Sequence, residues 1–125
     1  KKINDTLGHR AGDMVIKTIS RKITECIRNV DTAARYGGDE FAILAPDTSE
    51  EEMIGLAARV GRTIGDLSFL FSGREVRLTA SLGIALYPTH AANCEEIVAR
   101  ADSAMYQAKA SGKNRWAVFS GTKLH

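Results

Sequence analysis

Gly37 and Gly38 stand side by side between two short β-rich runs, residues 32–36 and 41–45. A chain that reverses within two residues needs backbone angles that side-chain-bearing residues resist, and glycine alone takes positive φ at little cost. The pattern predicts a tight antiparallel hairpin. Asp39 and Glu40 follow the glycines directly, so two adjacent carboxylates project from the rim of that turn. Hard oxygen ligands of this kind hold Mg²⁺, which favours one or two carboxylates together with substrate phosphates. A solvated acidic hairpin is the plainer alternative, because Gly and Asp are common turn residues.

On either side of the hairpin the period changes to that of helices. From residue 12 to residue 30, Val15, Ile16, Ile19, Ile23, Cys26, Ile27 and Val30 recur at spacings of three and four, with Lys17, Arg21, Lys22 and Glu25 on the wet side. Pro46 and Asp47 close the second run. Ser49 with Glu52 forms a capping box, and Met53, Leu56, Ala57, Val60 and Ile64 make a second helical stripe. Residues 69–75 read as a turn with a short hairpin around Ser72-Gly73, and residues 77–86 as a buried strand stopped by Pro88. Asn93 with Glu96 opens a third helix, with Ile97, Val98, Ala101, Met105, Tyr106 and Ala108 in its core stripe. Gly112 is placed to end that helix in a left-handed turn, and residues 115–119 form a last strand. The order is αββαβαβ. A strand before Lys1 would make the first units βαββαβ, a ferredoxin-like arrangement with a mixed sheet covered by helices.

The 125 residues suit one domain, and the balance of 17 basic against 15 acidic side chains demands neither a nucleic-acid nor a membrane partner. Cys26 and Cys94 lack metal-ligand spacing and read as reduced thiols, as in a cytoplasmic protein. No apolar run approaches the ~20 residues of a membrane span, although a parent protein could carry membrane or sensor segments outside this chain.

Four segments together resemble one family. Arg35-Tyr36-Gly37-Gly38-Asp39-Glu40-Phe41 is similar to the central motif of GGDEF-type diguanylate cyclases, and residues 4–13 (NDTLGHRAGD) to their NDxxGHxxGD segment. Residues 79–85 (TASLGIA) resemble the family's TxSxGIA strand, and residues 101–115 its ADxAMYxAKxxGxNR segment. The resemblance spans about residues 1–119. It implies an α/β (α+β) fold, a palm-like mixed five-stranded sheet flanked by helices, in one domain over residues 1–125. It also implies condensation of two GTP molecules into cyclic di-GMP by a homodimer, with Mg²⁺ or Mn²⁺.

Carried over residue by residue, Asp39 and Glu40 resemble the catalytic metal-binding acids, and Gly37 and Gly38 the turn that lets the nucleotide approach. Asn4 and Asp13 resemble the guanine-reading pair, and Lys109 and Lys113 the triphosphate-binding cations. Without the resemblance, Asp13 would be an acid complementing a helix N-terminus, and the two lysines partners of a helix C-terminus. Arg28-Asn29-Val30-Asp31, with five residues between Asp31 and Gly37, matches the family's RxxD product-inhibition site, in which Arg28 and Asp31 bind cyclic di-GMP. By itself an RxxD is more often a helix-end salt bridge.

The family's first strand and its metal-site Asp are expected before Lys1. The chain as written is therefore expected to be weak or inactive alone. A non-catalytic module that binds GTP or cyclic di-GMP is the alternative function.

Overall fold

The computed structural model describes residues 9–37 and 40–119. In chain order the elements are α1 (His9–Cys26), β1 (Thr32–Gly37), β2 (Glu40–Leu44), α2 (Glu50–Gly65), β3 (Ser68–Phe71), β4 (Arg74–Arg77), β5 (Ser81–Ile84), α3 (Cys94–Ala110) and β6 (Arg115–Val118). The mixed α/β class expected from the sequence is present. The strands hydrogen-bond in three pairs, β1–β2 and β3–β4 antiparallel and β5–β6 parallel. Two compact units divide the elements. One holds the described residues up to Asp47 with Thr63–Leu78, and the other Thr48–Arg62 with Thr79 onward.

In the first unit, α1 buries Val15, Ile16, Ile19 and Ile23, one face of a 3.6-residue period, each burial contributing about 1.5–3 kcal/mol. The helix stops at Cys26 rather than at residue 30, and Val30 is exposed. The cause is local. Arg28 N–H donates to Asp31 Oδ2 at 2.9 Å, and Asp31 N–H donates to the Arg28 carbonyl at 3.0 Å. A short acidic side chain has captured a backbone donor that the helix would otherwise use. The Cys26 thiol donates to Thr63 Oγ1 at 3.6 Å, and Ile64 is buried in the same unit. The hairpin expected at Ser72-Gly73 is present between β3 and β4. Both residues are left-handed, with φ of 52° and 77°, as a two-residue turn with matching strand twist requires.

The second unit opens with the capping box as expected. Ser49 N–H donates to Glu52 Oε1 at 2.8 Å and Glu52 N–H to Ser49 Oγ at 3.1 Å. Leu56, Ala57 and Val60 follow it into the core. β5, α3 and β6 form a strand–helix–parallel-strand unit in the register Ser81↔Arg115 to Ile84↔Val118. The strand expected over 77–86 is shorter, because its two ends pair with different partners. Arg77 faces Ser68 in β4, and the parallel ladder with β6 begins only at Ser81.

Asn93 caps α3 as expected. Its Oδ1 accepts from Glu96 N–H at 2.9 Å, while Glu96 Oε1 accepts from Ala92 N–H at 2.8 Å. The buried stripe of α3 is narrower than its sequence suggests. Ala104 and Ala108 are fully buried, but Val98 and Tyr106 lie outside the stripe, the tyrosine 72% exposed. Small residues line the contact because α3 lies directly on β5 at Gly83. A Cβ there would collide with the Ala101 carbonyl and the Met105 amide, and would stand 2.8 Å from Met105 Cα. Gly83→Ala should therefore destabilise the protein by about 3 kcal/mol or more, the upper end of overpacking costs, in chemical denaturation. A change below about 0.5 kcal/mol would contradict this packing.

Candidate functional site

Asn4, Gly38 and Asp39 lie outside the described residues. Gly37 and Glu40 flank the turn at the end of the β1–β2 hairpin and face each other in the register, with an irregularity between Arg35 and Gly37. Gly37 does not take a positive φ, so β1 does not need glycine there for its backbone. What its missing side chain leaves is space: a Cβ at Gly37 would meet nothing within 4 Å. The half-buried Glu40 opens the return strand. Glu40 offers a hard carboxylate oxygen of the type Mg²⁺ takes. Among the described residues no group of three or more His, Cys, Asp or Glu is gathered to hold a metal.

Asp13 is exposed on α1, the fifth residue of the helix, and no acidic residue lies in the first turn. Helix-terminus charge effects fade beyond that turn, so complementing the dipole explains Asp13 poorly. Lys109 and Lys113 belong to the second unit, whereas Asp13, Gly37 and Glu40 belong to the first. Lys109 lies in the last turn of α3 and Lys113 just beyond it, both exposed. The cap between them is a Schellman motif: Gly112 N–H donates to the Lys109 carbonyl at 3.3 Å and Lys113 N–H to the Ala108 carbonyl at 3.0 Å. Gly112 has φ +128°, the left-handed end expected of it.

Arg28 and Asp31 are brought together. Arg28 Nη2 donates to Asp31 Oδ1 at 2.8 Å, its Nε donates to both carboxylate oxygens at 3.2 Å, and Nη2 also donates to the Pro46 carbonyl at 2.8 Å. The Asp31 side chain is 3% exposed and that of Arg28 50%. Asp31 thus spends its acceptor sites on Arg28 and holds the guanidinium in place, while half of the arginine faces solvent. The Arg28 side chain, then the Arg28 amide, hold the Asp31 carboxyl below the ordinary carboxylate range.

These features lie in a chain that matches the family model described as "Diguanylate cyclase, GGDEF domain" over residues 1–115. The chain belongs to the GGDEF family. It is 40% identical over 115 residues to diguanylate cyclase A of Treponema denticola, covering 92% of this chain and 31% of that protein. It is 39% identical over 120 residues to the cyclic di-GMP phosphodiesterase NbdA of Pseudomonas aeruginosa, covering 96% of this chain and 15% of that protein. It therefore spans less than a third of the length of either relative. Among solved structures, the GGDEF domain of PA1120 (TpbB or YfiN) from Pseudomonas aeruginosa superimposes with a TM-score of 0.85 at 38% identity, over 95% of this chain and 70% of that one. The fold is accordingly the palm-like one of GGDEF domains. No helix among the described residues is long and apolar enough to cross a membrane.

Two functional details escape the sequence reading. Arg115 bonds back to Lys113 through its side chain, which no spacing rule announces. His90 belongs to no motif, yet its Nδ1 accepts from Leu86 N–H at 2.9 Å and closes the loop before α3.

Asp31 also sets a pH dependence. A carboxylate whose folded pKa is depressed contributes stability above its unfolded pKa, and this is lost as pH falls through the folded value. The stability gap between wild type and Asp31→Asn should be complete at neutral pH and shrink once pH falls below the ordinary carboxylate range. A gap that stays constant down to pH ~2 would remove the Arg28–Asp31 interaction from the account.

Proposed function

We propose that the protein carrying this chain is a diguanylate cyclase, which joins two GTP molecules into cyclic di-GMP with release of two pyrophosphates. The observation that carries the reading is the pairing of Gly37 with Glu40 at the end of the β1–β2 ladder, which sets the carboxylate of the central motif opposite a glycine. The family match over residues 1–115 supports it.

Asp13, with Asn4, reads guanine: a carboxylate accepts from the N1 and N2 hydrogens and an amide pairs with O6 or N3. Adenine would leave those groups unpaired. Gly37 and Gly38 let the α-phosphate and ribose approach the backbone. Lys109 and Lys113 grip the triphosphate as point charges that tolerate a mobile partner. Asp39 and Glu40 are the residues to hold Mg²⁺ or Mn²⁺, and Asp39 also helps take the proton from the attacking 3′-hydroxyl. The metal, when bound, neutralises charge developing on the phosphates, as is general in phosphoryl transfer. Each domain holds one GTP, so a homodimer brings each 3′-hydroxyl to the other nucleotide's α-phosphate. Residues 1–125 act as a single catalytic domain, and a strand and a metal-site Asp from outside this chain complete the sheet and the metal site.

The product returns as an inhibitor at Arg28, whose half-exposed guanidinium takes guanine and phosphate while Asp31 fixes its plane. A module that binds nucleotide without turnover is the second reading, favoured by the likeness to a relative named as a phosphodiesterase. The standard residues at Gly37–Phe41 weigh for the cyclase.

With GTP and Mg²⁺, chromatography should show cyclic di-GMP from the full-length protein and none from Glu40→Ala or Asp39→Ala. A full-length protein that binds GTP but never converts it would hand the case to the binding module. In calorimetry Arg28→Ala should weaken cyclic di-GMP binding by about 1–3 kcal/mol, the scale of a charged hydrogen bond. Equal affinity of the two proteins would reduce Arg28–Asp31 to a helix-end salt bridge.

A further inference from the structure

Resting on the GTP reading above, we infer that Arg115 is a positioning residue for Lys113. Three consecutive residues after α3 are left-handed: Gly112 at φ +128°, Lys113 at +61° and Asn114 at +50°. Ending a helix in a Schellman motif needs one such residue, normally a glycine, and Gly112 supplies it. Lys113 and Asn114 adopt a conformation that L-residues avoid, and the helix stop does not call for either. Strain of this kind persists only where the surroundings hold it in place.

The restraints are visible. Lys113 is held at both of its backbone polar groups. Its N–H donates to the Ala108 carbonyl at 3.0 Å, and its carbonyl accepts from Arg115 Nε at 3.1 Å. The Arg115 guanidinium lies against Gly112, where a Cβ would stand 2.8 Å from Nη2 and 3.3 Å from Cζ. An alanine at Gly112 would be strained by its φ, whatever the space beside it. The Lys109 carbonyl accepts from Gly112 in the same cap, so the backbones of both triphosphate lysines belong to one small hydrogen-bonded turn.

Charge points the same way. Lys109, Lys113 and Arg115 are all exposed within seven residues at one helix end. Among the described residues none of the three is paired with a carboxylate. The helix C-terminus offsets part of this positive charge, but its worth is that of a fractional charge. An anion with several charges, such as the β- and γ-phosphates of GTP, is the partner that suits the rest. Arg115 commits its Nε to the Lys113 carbonyl, and the combined variant below separates action through Lys113 from a direct grip by the remaining guanidinium nitrogens.

The test is nucleotide affinity of the full-length protein by calorimetry with Mg²⁺, for GTP and for GMP, which lacks the β- and γ-phosphates. Arg115→Ala and Lys113→Ala should each weaken GTP by about tenfold, and GMP should bind each variant as it binds wild type. The combined variant should bind GTP no more weakly than Lys113→Ala alone, because a residue that acts through another adds nothing once that other is gone. Arg115→Lys, which keeps the charge but lacks the Nε donor, should reproduce the selective loss of GTP affinity, and it serves as the test if Arg115→Ala fails to fold. GTP affinity unchanged in Arg115→Ala would overturn the inference. So would equal losses for GTP and GMP, or losses that multiply in the combined variant. A wild-type protein with no affinity for GTP would overturn the nucleotide reading itself, which the other outcomes leave standing.

Discussion

The approach of α3 to β5 at Gly83 governs the second unit. With no side chain at that position, the strand meets the helix backbone at Ala101 and Met105, and the fully buried residues of the helix are small, Ala104 and Ala108. The helix axis is thereby set against β5, and the chain must return along β6 in parallel register, Ser81 opposite Arg115. The turn from α3 to β6 spans only residues 111–114, and the left-handed run that carries Lys113 lies within it. Two lysines proposed to hold a triphosphate are in this way placed by a glycine one helix away. A close helix–strand contact constrains more than stability: it dictates where the helix ends and what its last turn can present.

The first unit rests on a different device. There α1 is stopped by Asp31, which takes the Arg28 amide and the Arg28 guanidinium together. The same contact that starts the chain toward β1 also orients the arginine proposed to sense product. Structural and regulatory roles of an RxxD need not compete. The salt bridge holds a half-exposed guanidinium in place, and a fixed planar fork is what the proposed product site requires.

Much of this was legible in the sequence. The capping signals at Ser49/Glu52 and Asn93/Glu96 and the glycine stop at Gly112 appear in the structure as reciprocal hydrogen bonds, because such motifs are local and their chemistry is complete within four residues. The left-handed turn at Ser72-Gly73 was legible for the same reason. Boundaries that depend on remote partners were not. The strand read over 77–86 divides because Arg77 pairs with Ser68 and Ser81 with Arg115, and alternation within one segment cannot tell which neighbour each half will find. Val30, Val98 and Tyr106 fit a helical period yet lie exposed, the first because a side chain ended the helix early, the others because the contact on α3 is narrow. Of the two hairpin glycines, Gly37 does not take the positive φ that a tight turn favours. Of the proposed site, residue types and order were legible through the resemblance, but the clamp on Arg28 and the restraint of Lys113 by Arg115 depend on side-chain geometry that spacing does not encode.

The central claim is a stoichiometry. A cyclase that joins two nucleotides consumes two GTP for each cyclic di-GMP and releases two pyrophosphates, with no free phosphate and no guanosine diphosphate. The most direct measurement follows pyrophosphate and guanine-containing products together, in the full-length protein supplied with GTP and Mg²⁺. The account requires pyrophosphate and cyclic di-GMP to accumulate in a ratio near two to one, with the rate rising more steeply than protein concentration where dimers are scarce. Release of phosphate and guanosine diphosphate, or bound GTP recovered intact, would contradict it.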